Sequence, residues 1–188
     1  HAWNTFSPGW KKWVEFFMGF FRPIGLKLIE VVDLRDGYQV LDVSTGTGEP
    51  GLTAASKIPH GKVTGTDIAQ DMIKVANEHA RERAIKNYEA IALKDEYQPF
   101  PNDSFDGIWA DASLHHIPKS RLAAVLAATR DLLRPGGVFF LAVKYGKGEF
   151  LRKNEKFGRI LNRYFAFYQI GEFKEKLKIA GFKVLGTE

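Results

Sequence analysis

"LDVSTGTGEPG", residues 41–51, closes one apolar run and opens a helix-like one. Gly46, Gly48 and Gly51 spell G-x-G-x-x-G, and Asp67 follows at about the distance where that fingerprint carries a ribose-binding carboxylate. Glycines at such a turn let a ligand come close to the backbone. The fingerprint alone does not choose between a nicotinamide, a flavin and some other adenosyl compound.

The rhythm on either side of the turn predicts an α/β chain. Gln39–Val43 reads as a buried strand, followed by the glycine turn and a helix over roughly 49–57. Lys62–Thr66, Tyr88–Leu93, Phe105–Ala110 and Val138–Val143 read as further strands. Gln70–Arg83 and the Leu122, Val125, Leu126, Thr129, Leu133 stripe read as helices. This alternation predicts a Rossmann-like, doubly wound and mostly parallel sheet with helices on both faces. Glu172–Ala180 reads as a closing helix ended by Gly181, and Phe182–Leu185 as a last strand. Upstream, residues 1–36 carry Trp3, Phe6, Trp10, Trp13, Phe16, Phe17, Phe20 and Phe21, punctuated by Pro8-Gly9 and Pro23. They predict a two-helix N-terminal cap or lid, with residues 37–188 forming the ligand-binding unit of the same single domain.

Composition narrows the class. The 188 residues are 45% hydrophobic and 26% charged, which describes a soluble globular domain. The apolar stretch Phe16–Phe21 is far shorter than the ~18 residues of a membrane helix. With no cysteine, disulfides, thiolate nucleophiles and zinc–thiolate sites are excluded, and a cytoplasmic location is the simplest reading. A start at His1-Ala2 without Met is read as a trimmed or tagged end. From Lys144 onward 11 Lys/Arg stand against 5 Asp/Glu, net +6, which leaves the first 143 residues at −1. Such a segment attracts nucleic acid or an anionic surface, but no nucleic-acid module accompanies it. A solvated, Lys-rich pair of helices is the preferred reading.

Charge then discriminates among the ligands. A diphosphate sits over a helix N-terminus and is received by free N–H groups and the positive end of the dipole. Here Glu49 places a carboxylate in that first turn, Pro50 deletes a donor, and Asp42 adds a second acid at the strand end. Such a site disfavours paired phosphates and tolerates a phosphate-free sulfonium such as S-adenosylmethionine.

The same residues resemble a known family. Val40-Leu41-Asp42-Val43-Ser44-Thr45-Gly46-Thr47-Gly48 is similar to motif I of the class I S-adenosylmethionine-dependent methyltransferases. The likeness continues through Gly65–Ile68, Phe100–Asp106, Leu114–Pro118, Leu133–Gly137 and Ala180–Phe182. The segment "FSPGWKKW" is similar to the ubiquinone/menaquinone C-methyltransferase branch. The resemblance implies S-adenosyl-L-methionine as cofactor and S-adenosyl-L-homocysteine as product. It implies that Asp42, Ser44, Thr45, Gly46 and Gly48 approach the methionine part, with Ser44 standing where the family has a glycine. It further implies that Asp67 holds the ribose hydroxyls, Ile68 and Met72 flank the adenine, and Asp95 reaches its amino group. Ala110 and Asp111 fall beside the amino-acid end. The family closes its sheet with a sixth and a seventh strand, and the seventh is expected to be missing here.

Methyl transfer needs alignment and exclusion of water more than a catalytic triad. A base enters only if the acceptor must lose a proton, and His115 is the candidate, with a structural turn as the reading of its neighbour His116. No metal site is expected, because adjacent histidines diverge and no carboxylate cluster accompanies them. Tyr145 and the Tyr164, Phe165, Phe167, Tyr168 set either line an acceptor pocket or pack C-terminal helices on the sheet. The reading is a methyltransferase for a small, partly apolar acceptor. The alternatives are an RNA or protein methyltransferase using the basic C-terminal face, and a non-catalytic or engineered cofactor-binding scaffold. A dehydrogenase ranks last.

Overall fold

The structure, a computed structural model, describes residues 23, 25–93, 99–156 and 159–187. Most of the aromatic N-terminal cap (residues 1–22) and Asp95 therefore lie outside the described residues.

Five strands form one parallel sheet: β1 (Gln39–Val43), β2 (Lys62–Asp67), β3 (Tyr88–Ala92), β4 (Phe105–Ala110) and β5 (Leu133–Leu141). Their spatial order is β3-β2-β1-β4-β5, so the winding reverses at β1. Ligands bind at that reversal, beyond the carboxyl ends of the strands.

Successive strand residues face opposite sides, and the two sides are covered differently. Helical residues 25–31 (α1), α2 (Gly51–Ala55) and α3 (Gln70–Glu82) cover one face. There Leu28, Val32, Leu52, Ile73 and Ala76 pack on Val40, Val63, Ala90 and Trp109. On the other face α4 (Lys119–Leu132) and α5 (Ile170–Ile179) bring Leu122, Leu126 and Phe173 against Ala110, Phe139 and Leu141. The doubly wound sheet with helices on both faces is therefore present. No helix among the described residues is long and apolar enough to cross a membrane.

Two expectations fail after β5. The segment read as Lys-rich helix is instead an antiparallel hairpin, β6 (Glu149–Lys156) with β7 (Arg159–Ala166). Alternation explains it: Phe150, Arg152 and Phe165, Arg163 fall on one face, Leu151, Lys153 and Tyr164, Asn162 on the other. Phe165 has a buried place to go, under a turn some fifty residues upstream in sequence, and that contact overrides the helical pattern. The expected strand Phe182–Leu185 does not form; residues 182–187 are irregular, with Phe182 packed on Phe139 at 5.3 Å. The described parallel sheet thus ends at β5.

Candidate functional site

The turn after β1 is shaped by its backbone. Thr45 N–H donates to Thr66 O (2.9 Å), Gly46 N–H to Asp67 Oδ2 (3.1 Å) and Gly48 N–H to Thr45 O (2.9 Å). Ser44 and Gly46 hold left-handed φ values of 61° and 56°. Ser44 therefore adopts the conformation a glycine would find easier. A Cβ on Gly46 would meet nothing within 4 Å, so its backbone borders open space. Gly48 is small for another reason, since its Cβ would stand 2.7 Å from Leu52 Cδ1. His79 Nδ1 lies 3.0 Å from Thr47 O and steadies the same turn from α3.

Beneath the turn runs a buried polar chain. Thr45 Oγ1 donates to Asp42 Oδ2 (2.7 Å), and Tyr88 OH lies 2.8 Å from Thr45 Oγ1, positioned to donate to it. Burial pushes the Asp42 carboxyl up to about 7, against the Thr45 hydrogen bond, which pulls it down. Burial also raises the Tyr88 phenol. The third glycine of the fingerprint serves this chain: a Cβ on Gly51 would stand 2.7 Å from Asp42 Oδ2 and 2.9 Å from Tyr88 Cε2. Gly65 gives the same clearance to the Tyr88 hydroxyl, at 2.5 Å. Asp42 therefore holds the turn in place through Thr45.

Glu49 is not a bare negative charge either. One carboxylate oxygen pairs with Arg83 Nη1, and the other accepts from Thr53 N–H (3.2 Å) and Thr53 Oγ1 (2.7 Å). Its side chain is only 7% exposed. The expected electrostatic hostility to diphosphate is thus corrected, because Glu49 is neutralised and Asp42 is buried. What disfavours a diphosphate is occupancy. In the first turn of α2 the Leu52 N–H is spent on Gly48 O (2.8 Å) and the Thr53 N–H on Glu49 (3.2 Å). These groups are not left to receive phosphate.

Asp67 ends β2 beside the turn. Its Oδ1 accepts from Ala69 N–H (2.8 Å) and its Oδ2 from Gly46 N–H, while burial raises its pKa. Each oxygen keeps a further lone pair. Ile68 is 37% exposed next to it, whereas Met72 is buried in the first turn of α3. At the end of β4, Ala110 is packed in the core, and Asp111 is half-buried with its carboxyl pushed up by burial. The structure thus gathers Ser44, Thr45, Gly46, Gly48, Asp67 and Ile68 around one turn.

His115 lies in the 3-10 turn Leu114–His116 and is 4% exposed. Burial is the first cause, with His116, Lys144 and Arg163 adding to it, that lowers its pKa to about 3. Its ring stacks on Phe165 (centroids 6.0 Å, planes 7° apart), and its Nδ1 has no hydrogen-bond partner. His116 Nδ1 lies 2.8 Å from Tyr164 O, so it anchors the turn to the hairpin. Of the aromatic set, Phe165 and Tyr168 are buried, while Tyr145 is 73% exposed. Packing against C-terminal helices, one of the two readings of that set, is thereby corrected for Tyr164 and Phe165, which lie on β7.

Arg83, Thr53 and Tyr88 were invisible in the sequence as site residues. The small residues at 51 and 65 were the one available sign of a bulky neighbour such as Tyr88.

Known proteins match this arrangement. A family model described as "Methyltransferase domain" matches residues 40–137, from β1 to the Pro-Gly-Gly of β5. Nocamycin O-methyltransferase of Saccharothrix syringae is 39% identical over 120 residues, 63% of this chain and 42% of its own. Demethylmenaquinone methyltransferase of Listeria welshimeri is 34% identical over 110 residues, 58% of this chain and 46% of its own. The chain therefore spans less than half the length of either relative. The solved DhpI–SAH complex superposes with a TM-score of 0.75 at 22% identity, covering 96% of this chain and 84% of the other, a likeness of fold. With its motif I turn, its strand order and the match over residues 40–137, this chain belongs to the methyltransferase-domain family.

Proposed function

We propose that the chain is an S-adenosyl-L-methionine-dependent methyltransferase that serves a small, partly apolar acceptor. One observation carries the reading: the open Gly46 backbone lies against the Asp67 carboxylate, beside an α2 N-terminus whose Leu52 and Thr53 N–H groups are already used. Such a site takes an adenosyl compound with ribose hydroxyls and no diphosphate. Asp67 would accept from the ribose hydroxyls through its remaining lone pairs, and Ile68 would cover one adenine face, with Met72 behind it. Asp95 is proposed for the adenine amino group. Gly46 and Ser44 would meet the methionine part from one side, Ala110 and Asp111 from the other, while Asp42, Thr45 and Gly48 hold the turn in shape.

The bound cofactor supplies a methyl group activated on a sulfonium. The chain contributes alignment of that group with the acceptor and exclusion of water. His115 suits this second task better than proton transfer. A base with a pKa of about 3 gains little by taking a proton near neutral pH. The N-terminal segment, bounded at residue 36, is proposed as a cap over the acceptor, in a cytoplasmic enzyme.

Calorimetric titration with S-adenosylmethionine, S-adenosylhomocysteine and NADH tests the reading. Binding of the first two, weakened about tenfold or more in Asp67→Ala, is expected. Tight NADH binding would overturn it. Binding without turnover across acceptor classes would leave a cofactor-holding scaffold.

A further inference from the structure

Two cationic side chains flank the Phe165 ring that packs on His115, and a third stands opposite one of them in the hairpin. Lys144 follows β5, and its Nζ lies 5.9 Å from the Phe165 ring centroid. Arg163 on β7 brings its guanidinium carbon to 5.0 Å from the same centroid. Arg152 on β6 is the direct cross-strand partner of Arg163. Like charges placed opposite each other in a ladder repel. Both hairpin acids are on the far face, because Glu149 and Glu155 pair in register with Ala166 and Ile160. Glu149 is moreover engaged there by Tyr164 OH and the Lys119 N–H (2.8 Å). Among the described residues, neither Lys144 nor Arg152 has a carboxylate within ion-pair reach.

A second observation points to the same place. The buried His115 ring lies against Phe165 with Nδ1 unpartnered. Buried polar atoms are nearly always satisfied, so a ligand polar group is the natural completion of this site. The apolar wall is present as well: Phe165, Phe150 and Phe167 form a contiguous group, with Phe150 stacked on Phe167 at 5.3 Å. The whole assembly lies beyond the carboxyl ends of β4 and β5, the side of the sheet that also holds Gly46.

We infer that Lys144, Arg152 and Arg163, with Phe165, form a binding site for the anionic group, carboxylate or phosphate, of an acceptor whose remainder is apolar. That the anion belongs to a methyl acceptor rests on the methyltransferase reading; that an anion binds here does not. Arginine supplies a planar fork for two oxygens and lysine a point charge, a combination suited to a terminal carboxylate or phosphate. A small molecule is favoured over RNA because Lys144 and Arg163 flank a single buried ring, whereas RNA needs a basic groove that tracks a backbone.

The test uses the full chain and three probes of similar shape: benzoate, phenyl phosphate and uncharged benzamide, at constant ionic strength. Binding is followed by calorimetry and by the imidazole NMR signals of His115 and His116. Saturable binding of benzoate or phenyl phosphate, with a shifted His115 signal and no response to benzamide, is expected. Whichever anion binds identifies the carboxylate or the phosphate arm. Lys144→Gln and Arg152→Gln should each weaken it about tenfold, and Arg152→Lys much less. S-adenosylhomocysteine affinity is measured on the same samples, and its absence would fault the cofactor reading without touching this one. Equal binding of benzamide and benzoate, or unchanged binding in both Gln variants, would overturn the site. So would steeply salt-dependent binding of a single-stranded RNA oligonucleotide with no response to either small anion.

Discussion

Glu49 and Arg83 form an ion pair across 34 residues of sequence, tying the turn after β1 to the end of α3. The pair is lopsided: Glu49 is 7% exposed and Arg83 42%. Removing the arginine strands a nearly buried carboxylate, whereas removing the charge on Glu49 leaves an amide that still accepts from Thr53. Arg83→Ala should therefore cost about 1–2 kcal/mol, discounted for the solvent that screens Arg83, and Glu49→Gln less. Urea unfolding of both variants checks the order. The Gln variant also separates two accounts of ligand choice. If charge repelled diphosphates, Glu49→Gln would gain NADH affinity. With the Leu52 and Thr53 N–H groups already used, it should gain none by calorimetry.

Asp42 makes stability depend on pH in an unusual direction. Its folded pKa of about 7 lies above the ordinary carboxylate value, so the folded state holds the proton more tightly than the unfolded chain does. The stability linked to this proton is fully present below about pH 4 and is lost as pH rises towards 7. Asp67 and Asp111, also raised by burial, act in the same sense. The Asp42 share is read as the difference between wild type and Asp42→Asn in chemical unfolding from pH 4 to 8. Relative to that variant, wild type should lose stability by a few kcal/mol over this window. A difference independent of pH would refute the assignment.

Both relationships lie in a stretch whose position, though not whose pairing, was legible in the sequence. The β1 run, the glycine turn and Asp67 lie within about thirty residues, and their patterns are local: an apolar strand, small residues at a sharp turn, an acid at the next strand end. Placement of the site followed directly. The hairpin at 149–166 was not legible, because its aromatic and basic residues fit a helix as readily until Phe165 finds His115 and His116. The neutralisation of Glu49 was hidden for the same reason. Its partner lies at the far end of another helix, where nothing in local pattern singles out Arg83 from Arg81.

The glycines of the fingerprint divide into two kinds, and substitution separates them. Gly51→Ala drives a methyl into Asp42 Oδ2 and Tyr88, which should cost about 1–3 kcal/mol of stability. Gly46→Ala meets no atoms, so its penalty is the left-handed backbone alone, about 1–2 kcal/mol. Its added methyl nevertheless stands in the open space before β1. Thermal unfolding should rank Gly51→Ala as the less stable, while S-adenosylhomocysteine titration should rank Gly46→Ala as the weaker binder per unit of stability lost. The reverse ranking in the binding experiment would move the ligand away from this turn.

Two histidines titrate in opposite directions, and NMR distinguishes them. His60 is exposed, and the Asp36 carboxylate, 2.6 Å from its Nδ1, raises its pKa. His115 is buried beneath the hairpin, away from any carboxylate partner, and its pKa falls to about 3. The sign for stability follows from each. A raised histidine stabilises below its unfolded pKa and loses that contribution as pH rises through the folded value. A lowered one stabilises above about 6.5, and the contribution disappears as pH falls towards 3. Between pH 5 and 8 the His60 ring signal should therefore move, and the His115 signal should stay at its neutral position. Single substitution of each histidine assigns the signals. If His115 titrates near 6.5, the ring is solvated, the hairpin does not cover it, and a role as general base returns.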